Sequence, residues 1–76
     1  MKRLSEHSVK SELAASVWKI EVAVGDQVEE GDTLMILESM KMEIPVTAPC
    51  AGSVAALLVE EGAAVGEGQL LATIVR

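Results

Sequence analysis

The apolar residues of this chain fall in short runs separated by clusters of Gly, Pro, Asp, Glu and Ser, a pattern of strands and tight turns. The runs predict strands at about 9–11, 16–22 and 34–38, and again at about 44–48, 53–59 and 70–75. Within 16–22 the alternation is imperfect, and Val17, Ile20 and Val22 form the expected inward set. The stretch Val54-Ala55-Ala56-Leu57-Leu58-Val59 is apolar throughout, so its periodicity alone suits a buried helix as well as a strand.

An internal repeat decides that ambiguity. Laid over itself so that Val9 meets Val46, the chain runs without a gap until Ser39 meets Arg76. Val17/Val54, Val22/Val59, Gly25/Gly62, Val28/Val65, Gly31/Gly68 and Leu34/Leu71 coincide, so 53–59 copies the conformation of 16–22 and is a strand. Gly25 and Gly31 frame one loop and Gly62 and Gly68 its copy, where a positive φ costs glycine little. Val28 and Val65, alone between them, are expected to plug the space beneath each loop. Each half is strand, turn, strand, glycine-framed loop, strand. Neither half can bury its apolar face alone, but two halves facing each other can. The fold class is therefore all-β: a flattened barrel or sandwich of two antiparallel sheets with a pseudo-twofold repeat. Residues 9–76 form this domain, and the polar, aperiodic residues 1–8 are expected to be a disordered tail.

Between the copies lies a stretch that the repeat does not explain, Glu38-Ser39-Met40-Lys41-Met42-Glu43. If the flanking runs pair as a hairpin with a two-residue loop at Met40-Lys41, Ser39 faces Met42 and Glu38 faces Glu43. Both features are locally unfavourable. Two-residue turns favour Asn and Gly, because φ > 0 is costly elsewhere, and like charges directly opposite destabilise a ladder. A tip that breaks two local rules points to function, here a lysine displayed on a rigid point.

These residues resemble the attachment motif of biotinyl domains, the biotin carboxyl carrier family, in which the lysine between two methionines accepts biotin. Sister lipoyl domains usually have Asp-Lys-Ala at this tip. The resemblance covers nearly the whole chain. It implies a barrel-sandwich hybrid fold with the termini opposite the tip, and covalent biotin on Lys41. It also implies flanking recognition residues: Met40 and Met42 for the biotin protein ligase and several carboxylase sites, Glu38 and Glu43 to help that ligase tell this tip from a lipoyl one. On this resemblance the chain is a carrier and not an enzyme. Its biotin moves a carboxyl group between biotin carboxylase and carboxyltransferase subunits of a carboxylase, expected to act on an acyl-CoA. The alternatives are a lipoyl carrier on the same fold, against which Met-Lys-Met argues, and an unmodified hammerhead interaction module. The chain departs from the family at its first turn, Ser11-Glu12-Leu13-Ala14-Ala15, where many members have Ser-Pro-Met-x-Gly. The second copy, Ala48-Pro49-Cys50-Ala51-Gly52, keeps the Pro and Gly.

Composition narrows the remaining classes. A net charge of −6 opposes a phosphate-binding surface, so no nucleic acid is expected. No apolar run has membrane-spanning length. One cysteine, Cys50, allows no internal disulfide and fits a small packing residue in a reducing compartment. His7 has no Cys or His at ligand spacing, so neither a metal nor a catalytic role is expected. The expectation is a soluble, cytoplasmic protein, monomeric when isolated.

Overall fold

A computed structural model describes residues 5–76. Its strands are β1 (Glu6–Lys10), β2 (Ala15–Ile20), β3 (Gln27–Val28), β4 (Thr33–Ser39), β5 (Met42–Thr47), β6 (Gly52–Leu57), β7 (Ala64–Val65) and β8 (Leu70–Val75). They form two four-stranded sheets, ordered β1-β8-β6-β3 and β5-β4-β2-β7, with every pairing antiparallel. The inner faces meet in a core of Val17, Leu34, Met35, Leu37, Val54, Leu71 and Ile74, all buried. The two-sheet architecture and its repeat agree with the expectation. Val28 and Val65 are the buried plugs, held in the two-residue strands β3 and β7 that hydrophobic patterning is too short to reveal.

The halves are not two sheets face to face. Each sheet takes two strands from each half, so the copies are interleaved. A strand pair needs hydrogen-bonding partners along its whole length, and exchanging strands between copies supplies them while leaving only β1, β3, β5 and β7 at edges. The repeat extends to irregularities. The ladders of β2 and β6 slip at Trp18 and at its counterpart Ala55, and those of β4 and β8 slip at Leu34 and Leu71.

The expected tail over 1–8 is corrected by the structure: from Glu6 the chain is strand β1, paired with β8 from Glu6–Val75 onward, and the Arg76 N–H donates to the Ser5 carbonyl at 3.0 Å. Met1 to Leu4 lie outside the described residues. The alternation was hidden because one inward position is polar. Val9 is buried and His7 half-buried, while Glu6, Ser8 and Lys10 face outward. The His7 Nε2 is buried without a hydrogen-bond partner, alone in this among the side chains of the described residues.

At the first turn the buried Ser11 hydroxyl donates to the Leu13 carbonyl at 2.6 Å, closing the bend that the second copy makes with Pro49 and Gly52. Gly52 is required there, because a Cβ would meet the Val75 carbonyl oxygen and lie 2.9 Å from Ile74 Cγ2. The loop glycines are constrained differently. Gly25 (φ 97°) and Gly62 (φ 89°) have open space where a Cβ would go, so substitution there tests backbone strain alone. Gly25→Val and Gly62→Val are each expected to cost roughly 1–3 kcal/mol. Urea titrations giving similar losses at both positions would support the repeat, and a neutral result at either would contradict it.

Candidate functional site

The lysine-bearing tip is built by β4 and β5. Leu37 is buried, so alternate residues of β4 anchor the strand on the core while its other edge pairs with β2. The β4–β5 register runs Leu37–Ile44, Glu38–Glu43 and Ser39–Met42, leaving Met40 and Lys41 as a two-residue loop. The sequence-based register is thus correct to the residue. Met40 (φ 52°) and Lys41 (φ 66°) are both left-handed, and no other described non-glycine residue has a positive φ. Two successive residues of that kind make a type I′ turn, whose twist matches the strands it joins. Left-handed backbone costs an ordinary residue about 1–2 kcal/mol, so the flanking ladder holds a conformation that Asn-Gly would adopt freely.

The consequence is exposure. Met40 is 91% and Met42 61% exposed, neither a core filler, and Lys41 between them is exposed as well. Glu38 and Glu43 are exposed neighbours across the ladder. The ion pair found among the described residues, Lys19–Glu21 at 4.0 Å, involves none of the tip residues. Lys41 therefore stands above an acidic pair, with an amine open to any approaching reagent and no side-chain base in hydrogen-bond contact. Such a site can form an amide with an activated carboxyl group if another protein takes the proton.

The other sequence candidates lie elsewhere. Cys50 is buried in the second turn, as expected of a packing residue. The tip and the Glu6–Val75 end of the β1–β8 pair are at opposite ends. Ser16 faces Glu38 near the tip and Ile20 faces Met35 further down, after which the chain reaches β3, where Gln27 lies beside Ser53 and Ser53 beside Val75. Sequence reasoning passed over the outward row beneath the tip, in which Lys19, Ile36 and Pro45 lie side by side. The signal was present in β4, where Ile36 occupies an outward position between the inward Met35 and Leu37.

The sequence model of the family described as biotin-requiring enzyme matches residues 7–74, nearly all of the chain. The chain belongs to the biotin/lipoyl attachment family. Biotin is the cofactor in that description, and a free, exposed lysine amine is the donor that a covalent biotin needs. A biotinylated protein TB7.3 homolog of Mycobacterium leprae is 48% identical over 66 residues, covering 87% of this chain and 93% of that one. The biotin-dependent acyl-coenzyme A carboxylase alpha3 subunit of the same organism is 43% identical over 92% of this chain, which spans 12% of the subunit. The Kluyveromyces lactis urea carboxylase structure superposes with a TM-score of 0.87 at 40% identity, over 92% of this chain and 6% of that enzyme. A lipoyl domain of the Azotobacter vinelandii 2-oxoglutarate dehydrogenase complex shares the fold, with a TM-score of 0.78 at 21% identity over 91% of this chain and 95% of that one. Architecture alone therefore does not distinguish this chain from a lipoyl domain.

Proposed function

We propose that Lys41 is the residue that carries biotin, and that this biotin carrier domain of a biotin-dependent carboxylase takes a carboxyl group from a biotin carboxylase to a carboxyltransferase. The observation behind this reading is the placement of Lys41 in a strained, exposed turn between two exposed methionines. In the attachment step the Lys41 Nζ, its ammonium proton removed by a base on the ligase, attacks the carbonyl of biotin's activated carboxyl group. A C–N amide bond forms as the bond to the activating group breaks. Met40 and Met42 give the ligase soft, adaptable contacts, and Glu38 and Glu43 mark the tip as one for biotin. When bound, biotin supplies a ureido nitrogen that takes up and gives back a carboxyl group. The protein contributes the tether, which holds that nitrogen at high effective concentration near each enzyme site it visits. The chain itself is non-catalytic. A coenzyme A thioester is the acceptor we favour, supported by the likeness to the acyl-coenzyme A carboxylase subunit.

The test is the intact mass of the chain after co-expression with a biotin ligase, followed by peptide mapping. One biotin per chain, on Lys41, is expected. Biotin found on Lys10 or Lys19, neither of which sits in a turn, would overturn the assignment.

A further inference from the structure

The internal repeat supplies a control for every surface position. Each outward residue on the lysine-bearing sheet has a counterpart on the other sheet, so a difference between them reflects something other than the needs of the fold. On the lysine-bearing sheet Pro45 and Lys19 flank the half-buried Ile36, and the bulged Trp18 beside them is 50% exposed. The counterparts of Trp18, Ile36 and Pro45 are Ala55, Thr73 and Ser8, and that of Lys19, the one charged residue in the row, is Ala56. One sheet thus carries an apolar ridge where its copy carries small or polar residues in the same architecture. Leu58, exposed just past β6, is a single apolar residue of the ordinary surface kind.

The ridge lies about 13 Å below the turn, at roughly 3.3 Å per strand residue. Between ridge and turn are Glu38, Glu43 and Ser16, which share one row of the outer face. We propose that this face is the docking surface for the enzyme that acylates Lys41, which meets it with an apolar patch bordered by basic side chains. The inference rests on Lys41 being the biotinylated residue. Acylation requires the Nζ itself to enter the enzyme's active site, so the enzyme closes over the turn and the strands just beneath it. A two-residue turn cannot provide the ~800 Å² per partner of a standard interface, and the outer face continuous with it can. An enzyme that meets only the far end of a loaded arm needs no such approach. Charge identifies the partner's border: the acidic pair is repulsive in the free domain and is offset by cations supplied from outside. Trp18 is the expected centre, because large aromatic side chains carry a disproportionate share of interface energy.

The experiment measures initial rates of biotin incorporation by a biotin ligase for the full chain and for Trp18→Ser, Pro45→Ser and Leu58→Ser, with thermal melts of each. Trp18→Ser is expected to raise the KM for the carrier about tenfold at nearly constant kcat, and Pro45→Ser to raise it less, while Leu58→Ser stays at wild type. Replacing Glu38 and Glu43 together by Gln is expected to weaken the salt dependence of kcat/KM. If Trp18→Ser melts early, the Pro45→Ser comparison decides. A wild-type chain that accepts biotin on Lys41, with an unchanged KM in the folded ridge variants, overturns the docking surface alone. A wild-type chain that accepts none overturns the assignment of Lys41 and the docking surface with it.

Discussion

Lys41→Arg is expected to leave a chain that melts with the wild type and takes up no biotin. The chemical half of this expectation follows from the guanidinium, which stays protonated at any pH where the protein is folded and offers no lone pair for acylation. The physical half follows from the tip. Lys41 is exposed, takes no part in the Lys19–Glu21 ion pair, and has the same left-handed backbone whichever long cation follows its Cα. Exposed substitutions of this kind move stability by ~0.5 kcal/mol or less. Loss of modification together with an unchanged melting curve separates a displayed nucleophile from a structural residue. A marked fall in melting temperature would show that the side chain is packed, and residual biotin in the variant would place the site on another lysine. The measurement is a streptavidin blot of both proteins after equal co-expression with the ligase, alongside their thermal melts.

The tip was legible in the sequence because its local rules conflict. Met-Lys in a two-residue loop and Glu38 opposite Glu43 go against turn and pairing preferences, and the structure retains both, with the left-handed φ values and the register expected. The repeat was legible for a different reason: coincident glycines and core residues survive in both copies, down to the plugs Val28 and Val65. Apart from the β4–β5 hairpin, strand exchange between the halves was not legible, because identical hydrophobic patterns suit a strand pairing within its own copy or across to the other. The first strand is predicted at about 9–11, and its start at Glu6 was missed because alternation depends on apolar inward residues, and β1 places a histidine at one of its two inward positions. The ridge was missed because a residue of an apolar run is read as core by default. Ile36 sits among Leu34, Met35 and Leu37 in sequence, and only the pleat turns it outward.

Leu34→Ala and Leu71→Ala are expected to cost more stability than either loop-glycine substitution, and to be equally damaging. Both side chains are 0% exposed, and the repeat makes them equivalent. Each sits where its ladder slips by one residue, between Thr33 and Met35 in β4 and between Leu70 and Ala72 in β8. At a bulge two consecutive side chains serve the space that one normally fills, which is how Leu34 and Met35 are both buried. Removing a buried leucine costs about 2–5 kcal/mol through lost transfer energy and the cavity left behind. A domain this small has a total stability near the lower end of the usual ~5–15 kcal/mol, so one such loss consumes much of it. Urea titration should show both midpoints falling by similar amounts at unchanged slope, the mark of lost stability and not of an altered unfolded state. Leu34 also lies on the strand that carries the tip, at the far end of the ladder that closes with Ser39–Met42. As the fold loosens, the ladder that enforces the left-handed turn loosens with it, and biotin uptake should decline at temperatures approaching the lowered melting point in both variants. If Leu34→Ala impaired uptake at temperatures where Leu71→Ala did not, the hairpin would unfold as a local unit ahead of the domain. If either substitution were neutral, the bulged leucine would not be part of the core, and the equivalence of the two halves would fail at its centre.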